Sequence, residues 1–192
     1  MTSTSLSSQL DLFIQQSIEC QLKTHQRLPL TPFDADWPSH CYQGTPNSDG
    51  QIHWQPVRQQ HHTEQMFIRL EEALGYNIHP DLKTWYSRFW SDPLPATCSE
   101  GELSLLFVWN EADCERLRSN LIGHLLNKQK LKQSPTLFFA CPEPDSNQFL
   151  SIDNTTGAVW LETPGKQPTR KIAESLANFI TTLTPLPIPD QE

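Results

Sequence analysis

Proline sets the strongest limit on how this chain can fold. Its 192 residues contain 16 prolines and only seven glycines, which predicts short elements joined by stiff connections. Pro56 must end the strand before it, because proline has no amide hydrogen to donate to a β-ladder. Pro80 suits the first turn of a helix, and Pro135 precedes an apolar strand. Four prolines between residues 28 and 50 predict a long loop, in which His40–Tyr42 is a candidate short strand.

Hydrophobic periodicity places helices and strands between these prolines. A repeat near 3.6 residues predicts helices at residues 7–26, Thr63–Leu74, Pro80–Trp90, Asn110–Lys132 and Ile172–Leu183. Apolar runs predict further strands at Ile52–Gln55, Leu103–Trp109, Thr136–Ala140, Phe149–Asp153 and Ala158–Glu162. The last two strands flank Asn154–Gly157, a short loop typical of a hairpin. These elements favour an α+β fold, with residues 1–192 forming a single domain in which helices flank a mainly antiparallel sheet.

Local signals also indicate where individual helices begin and end. Asn110 stands at an N-cap position, and Glu111 and Asp113 follow it in the first turn, where the helix dipole favours negative charge. Gly75 predicts the end of the second helix. Gly123 lies in the middle of the fourth helix, which predicts close packing by a neighbouring element.

The two ends of the chain carry different signals. The N-terminal segment lacks the basic and apolar regions of a secretory signal, and no stretch approaches the roughly 20 apolar residues that span a bilayer. We therefore expect a cytoplasmic protein. From about residue 185, alternating prolines predict an extended, weakly ordered tail.

Negative charge is concentrated in one part of the chain. The net charge is −8, whereas residues 28–115 alone carry 13 acidic and four basic side chains, a net of −9. Residues 1–27 are balanced, and residues 116–192 carry a net of +1. A field of this sign repels nucleic acid and anionic lipid and attracts basic partners. An acidic surface that serves only solubility is the alternative.

The sequence lacks the common catalytic and metal-binding motifs. Its five cysteines are scattered and never form CxxC, so we expect small apolar residues in a reducing compartment. His53, His61, His62 and His79 lie close in sequence but lack the spacing of metal ligands. No GxSxG, GxGxxG or GxxxxGK motif occurs. We therefore expect a protein that is not an enzyme and binds no metal or cofactor.

Several blocks of sequence together resemble the Syd family of bacterial SecY-interacting proteins. The most specific block runs from Asn120-Leu-Ile-Gly-His124 through Lys128 and Leu131-Lys132 to Pro135-Thr-Leu-Phe138. Other matching segments are Trp54-Gln55-Pro56, Trp109-Asn110-Glu111 with Asp113, and Leu176-Ala-x-Phe179. The resemblance spans roughly residues 7–185, whereas the loop at residues 142–147 and the Pro-rich tail lie outside the family pattern.

This resemblance implies both a fold and a partner. The implied fold is that of the SUKH superfamily, with an open acidic groove beside the sheet. The implied partner is SecY of the SecYEG translocon, bound through its basic cytoplasmic loops, so that the protein is peripheral on the cytoplasmic side of the cell inner membrane. The implied role is to monitor or negatively regulate SecY assembly and protein translocation, with no catalytic residue or cofactor.

Ten residues are candidates for binding this partner. Glu102, at the start of an apolar strand, and Asp153 and Glu162, on the hairpin arms, are the groove candidates, with ordinary solvated strand ends as the alternative. The further acidic candidates, for which a solvated helix face or helix capping is the alternative, are Glu71, Glu72, Glu111 and Asp113. The aromatic candidates, for which a place in the core is the alternative, are Trp54, Trp109 and Trp160.

Two other functions remain open from the sequence. A SUKH-type adaptor or immunity-like protein would use the same groove to bind a soluble basic partner, such as a nuclease toxin. A hydrolytic or metal-dependent enzyme would need a site that none of the motifs above supplies. Binding to isolated SecY loops separates the first alternative from a SecY-binding protein, and stoichiometric metal in the purified protein would revive the second.

Overall fold

The computed structural model describes residues 5–60, 63–143, 147–168 and 170–190. Within these residues the helices are α1 (Leu6–His25), α2 (Glu64–Leu74), α3 (Pro80–Arg88), α4 (Glu111–Lys130) and α5 (Leu176–Ile180). The first six strands are β1 (Leu30–Pro32), β2 (Tyr42–Gln43), β3 (Gln51–Trp54), β4 (Val57–Arg58), β5 (Phe89–Trp90) and β6 (Leu94–Cys98). The others are β7 (Gly101–Leu105), β8 (Thr136–Pro142), β9 (Phe149–Asp153), β10 (Val159–Glu162), β11 (Arg170–Ala173) and β12 (Thr184–Pro185).

A seven-stranded sheet organises the molecule. Its strand order is β11-β10-β9-β8-β7-β6-β12, and every neighbouring pair is antiparallel. A three-stranded sheet, β1-β3-β2, and the short pair β4-β5 lie outside it. The hairpin of β9 and β10 has the predicted position, with Val159 opposite Ile152 and Glu162 opposite Phe149. The predicted α+β fold with a mainly antiparallel sheet is therefore confirmed.

Helices flank both faces of the large sheet. Phe138 and Phe139 are neighbours on β8, so their side chains point to opposite faces. The ring of Phe138 meets His124 of α4 at 5.6 Å, whereas the ring of Phe139 meets Phe179 of α5 at 5.8 Å. Trp85 of α3 contacts Phe139 on that second side, with ring centroids 5.1 Å apart. Burial of a large apolar side chain of this kind contributes about 1.5–3 kcal/mol.

Two predicted helices are shorter than their periodicity indicated. The third was predicted to continue to Trp90, but it ends at Arg88, and Phe89 and Trp90 form β5 against β4. The last was predicted to begin at Ile172, which instead lies on β11. α5 begins only after Ser175, whose hydroxyl accepts a hydrogen bond from the backbone N–H of Asn178 at 3.1 Å. In both places apolar residues at helical spacing lie on a strand, because another strand supplies the partners of their backbone hydrogen bonds.

Other local predictions have mixed outcomes. Asn110 does cap α4, since its Oδ1 accepts a hydrogen bond from the Asp113 amide at 2.8 Å. Gly75 ends α2 in the left-handed region at φ 76°. The prediction that Gly123 allows close packing is wrong, because the residue is exposed and nothing lies within 4 Å of the position of a Cβ atom. Leu22, expected on the buried face of α1, is 43% exposed, and Gln21 is buried there instead.

The Pro-rich segment after residue 184 contacts the rest of the domain. β12 pairs with β6, with Pro185 opposite Ala96. The backbone N–H of Ile188 donates to Gln21 Oε1 at 2.8 Å, and the Ile188 side chain is buried. Asp190 forms an ion pair with Arg27. These contacts hold the extended segment against β6, α1 and the residues just after α1, through its last described residue.

Over the described ranges, none of the helices combines the length and the apolar character that crossing a membrane requires.

Candidate functional site

A cavity of about 690 Å³ lies where the small three-stranded sheet faces α4 and the central strands of the large sheet. We call it the central cavity. The charged side chains that line it are those of Asp34, Asp92, Asp113 and Arg116. Its aromatic lining includes Trp37, Tyr42 and Trp109. With three carboxylates and one guanidinium, the lining has a net charge of −2, which favours the entry of cations.

Helix α4 places Asp113 and Arg116 in the central cavity one turn apart. The carboxylate of Asp113 is fixed from two sides, because its Oδ2 accepts a hydrogen bond from the Trp109 amide at 2.9 Å and its Oδ1 accepts one from Arg116 Nε at 2.8 Å. Arg116 Nη2 also lies 2.6 Å from that Oδ1. The guanidinium carbon of Arg116 lies 5.9 Å from the ring centroid of Trp37, within the range of a cation–π contact.

A chain of aromatic rings forms one wall of the central cavity. The edge of Tyr42 meets Trp109 at 5.5 Å, and Trp109 in turn meets Trp54 at 5.5 Å. Phe33, an exposed residue next to the cavity residues Pro32 and Asp34, lies 5.4 Å from the Tyr42 ring. Such edge and tilted contacts favour fixed ring positions. The wall therefore presents aromatic faces that can receive the apolar stem or the cationic end of a basic side chain.

The loop after β1 brings Asp34 to the central cavity. Asp34 Oδ1 accepts a hydrogen bond from the Asp36 amide at 2.8 Å, a turn geometry typical of Asp. The Asp34 amide donates to the hydroxyl of Tyr42 at 3.3 Å. Asp92, in the turn between β5 and β6, also lines the cavity. The two residues are far apart in sequence, and the folded chain places both in the lining of the same cavity.

Two of the ten residues predicted from the sequence line the central cavity, namely Trp109 and Asp113. Trp54 is buried behind Trp109 and supports its ring. Glu111 flanks the start of α4 and lies 2.8 Å from the ring of His40. Thus the matching segment around residue 109 contributes to the lining of the central cavity, whereas the hairpin of β9 and β10 does not.

Glu162 is placed inside the protein, not on a groove. Its carboxylate forms an ion pair with Lys128 of α4 and accepts a hydrogen bond from the Ser151 hydroxyl. The side chains of Lys128 and Glu162 are 5% and 1% exposed. A carboxylate buried and paired in this way cannot contact a partner, so Glu162 is a structural residue in this conformation.

The other predicted residues lie apart from the central cavity. Asp153 Oδ1 accepts hydrogen bonds from the amides of Thr155 and Thr156 and so fixes the hairpin loop. Glu102 lines a separate cavity of about 140 Å³. The remaining three are Glu71, which pairs with Lys83, the exposed Glu72 on α2, and the half-buried Trp160 on β10.

Sequence reasoning missed Asp34, Trp37, Asp92 and Arg116. Asp34 and Trp37 fall in the Pro-rich segment that was predicted to be loop, where no periodicity shows which side chains point inward. The acidic excess of residues 28–115 was the available signal, since Asp34, Asp92 and Asp113 all belong to that segment. The sequence signal for Arg116 was weaker: it lies three residues after Asp113, and side chains at that spacing are neighbours on a helix.

The possible metal ligands and the cysteine thiols are further candidate sources of a reactive site. Within the described ranges, no three His, Cys, Asp or Glu side chains are grouped so as to hold a metal ion. The histidines at positions 61 and 62 lie outside the described residues. Burial raises the pKa of the Cys41 thiol to about 12, and that of Cys114 likewise to about 12, so both are protonated near neutral pH.

The chain is similar to known proteins over nearly its whole length. Residues 7–185 match the family model described as Syd protein (SUKH-2). Protein Syd of Pseudoalteromonas atlantica is 42% identical over 187 residues, which cover 96% of this chain and 98% of that protein. Protein Syd of Alteromonas mediterranea is 40% identical, with 94% and 97% covered, and Protein Syd of Colwellia psychrerythraea is 38% identical, with 96% of both chains covered.

Proposed function

The chain belongs to the Syd family, and from that premise we propose that it binds the basic cytoplasmic loops of SecY in the SecYEG translocon through its central cavity. In this proposal the protein monitors or negatively regulates SecY assembly and protein translocation. It acts by binding, without catalysis, and it reaches the cytoplasmic side of the inner membrane only through SecY.

The observation that carries this proposal is the combination of negative charge and aromatic surface in the central cavity. Lysine and arginine side chains of a loop would form charge-assisted hydrogen bonds with Asp34 and Asp92. Their cationic ends can also lie over Trp37 or Trp109, contacts worth about 0.5–2 kcal/mol each. A partner of opposite charge would associate quickly and would dissociate more readily as salt is added.

The charge distribution along the chain supports the same surface. All three carboxylates of the central cavity come from residues 28–115, the segment with a net charge of −9. Of the residues predicted from the sequence, we retain Asp113 and Trp109 as partner-binding candidates and add Asp34, Asp92 and Trp37.

Pull-down of SecYEG membranes at two salt concentrations tests the proposal. An Asp34→Asn, Asp92→Asn variant removes two charges from the central cavity. The matched control is Glu19→Gln, Asp49→Asn, which removes two charges from exposed positions on α1 and before β3. We expect the cavity variant to retain about one tenth or less of wild-type binding at low salt, since each contact contributes on the order of 1 kcal/mol. We expect the control variant to bind like the wild type.

Other outcomes would redirect or refute the proposal. Equal loss in both variants would mean that the overall charge, not the central cavity, attracts the partner. If the folded wild type ignores SecYEG membranes and loop peptides at low salt but binds a soluble basic protein, the SUKH-type adaptor replaces the SecY-binding function.

A further inference from the structure

A cation of the protein itself already occupies the central cavity. Arg116 is the one Lys or Arg among the described residues that line it. Its guanidinium contacts Asp113 Oδ1 and lies over Trp37. These are a carboxylate oxygen and an aromatic face, the two groups that a cationic side chain of a basic partner would seek.

We propose that Arg116 occupies, in the free protein, the subsite that receives a Lys or Arg side chain of the partner, and that it swings out of this subsite when the partner binds. The proposal rests on the proposed function, because it identifies which position in the central cavity takes the incoming cation. Arg116 thereby acts as an intramolecular competitor that weakens the binding of any Lys or Arg side chain at this subsite.

The two ends of the Asp113–Arg116 pair differ in mobility. Asp113 is held by the Trp109 amide at its Oδ2, and its side chain is only 11% exposed. The Arg116 side chain is 66% exposed and contacts Asp113 and Trp37. Water screens the exposed Arg116 end of this pair, which weakens its attraction to the carboxylate, and arginine has several rotatable bonds with which to leave. The carboxylate can therefore stay in place while one guanidinium replaces another.

Exchange of this kind keeps the charges in the central cavity matched. A buried or partly buried carboxylate that loses its only cation becomes costly, so an incoming guanidinium must arrive as Arg116 leaves. Once released, Arg116 lies on an exposed part of α4, where water solvates its charge. Loss of the contact between Arg116 and Asp113 therefore lowers the affinity for the basic partner only moderately and does not prevent its binding.

Arg118 offers a matched control for Arg116. It lies on the same helix and forms the same kind of pair, with its Nε 3.1 Å from Glu115 Oε2 three residues earlier. It does not line the central cavity. Arg118→Gln and Arg116→Gln therefore change the net charge equally, and only Arg116→Gln empties the proposed subsite.

Calorimetric titration of the wild type and of each variant with a tetra-arginine peptide at low salt tests the inference. We expect Arg116→Gln to bind about twofold to fivefold more tightly than Arg118→Gln, as removal of one exposed competing ion pair allows. Arg116→Lys, which keeps the charge but loses the forked geometry, should bind with an affinity between those of the wild type and Arg116→Gln.

The outcomes separate this inference from the function on which it rests. Equal affinities for Arg116→Gln and Arg118→Gln, or an absence of tetra-arginine binding to any variant, would overturn the role of Arg116, even if SecYEG membranes still bind the wild type. Tighter binding of tetra-arginine by Arg116→Gln alone would support the subsite. In that case a failure to bind SecYEG membranes would count only against SecY as the partner.

Discussion

Removal of the Lys128 charge should strongly destabilise the protein, because its partner carboxylate is buried between α4 and the large sheet. Lys128 of α4 and Glu162 of β10 form an ion pair that is almost fully buried. In Lys128→Met the Glu162 carboxylate loses this cation and keeps the hydrogen bond from Ser151. Breaking a buried pair from one side costs about 3–5 kcal/mol, because the remaining charge is left without compensation. That is a large share of the roughly 5–15 kcal/mol that holds a domain of this kind together.

Urea unfolding followed by tryptophan fluorescence measures this cost. The control is Lys130→Met, two residues further along α4 and exposed, which should change the free energy of unfolding by less than about 0.5 kcal/mol. A double variant, Lys128→Met, Glu162→Gln, removes the uncompensated charge, although the side-chain amide that replaces the Glu162 carboxylate still needs hydrogen-bond partners. We expect it to be about 1–3 kcal/mol more stable than Lys128→Met alone. A cost below about 1 kcal/mol for Lys128→Met, or no recovery in the double variant, would refute the reasoning.

Three further changes test individual elements by urea unfolding or NMR. Gly123→Ala should stabilise α4 by about 0.5–1 kcal/mol, because the added methyl group meets no neighbour; destabilisation would indicate close packing there. Burial, reinforced by the Lys128 charge, lowers the pKa of His124, so NMR should find this pKa higher in Lys128→Met than in the wild type. The hydrogen bond from Arg88 lowers the pKa of Asp11. Asp11→Asn should therefore lower the free energy of unfolding by about 1 kcal/mol at pH 7. This difference between the variant and the wild type should vanish at low pH, as Asp11 takes up a proton below its ordinary pKa of about 4. A difference that persists at low pH would contradict the ionic role of Asp11.

Features that depend on neighbouring residues could be predicted from the sequence. The Asn110 cap is such a feature, because a side-chain oxygen reaches an amide only three residues away. The hairpin around Gly157 is another, since φ 74° at that position suits glycine at the end of a short loop. The α+β class followed because several such local signals agreed.

Features that depend on distant strands could not be predicted in this way. Phe89 and Trp90 continue the apolar spacing of α3, yet they pair with Arg58 and Val57. Leu94–Cys98 has two prolines in or next to it and was not recognised as a strand, although it pairs along its whole length with β7. In each case the partner strand decides the backbone conformation, and no local pattern reveals the partner.

In the candidate site, too, the sequence predicted what depends on neighbouring residues and not what depends on distant ones. The sequence located the acidic excess in residues 28–115, and Asp34, Asp92 and Asp113 all lie there. It could not tell which acids face a cavity, because that depends on the tertiary partners of each side chain. Glu162 illustrates the difficulty, since the lysine that neutralises it lies 34 residues away on another element.

Site-specific photo-crosslinking to SecYEG membranes tests most directly whether the central cavity is the surface that binds SecY. Asn120 and Ser119 are consecutive exposed residues of α4, and only Asn120 lines the central cavity. With a photoreactive amino acid at one position or the other, we expect a crosslink to SecY from position 120 and little or none from position 119. Equal crosslinking from both positions, or none from position 120 in membranes that bind the protein, would contradict the central claim.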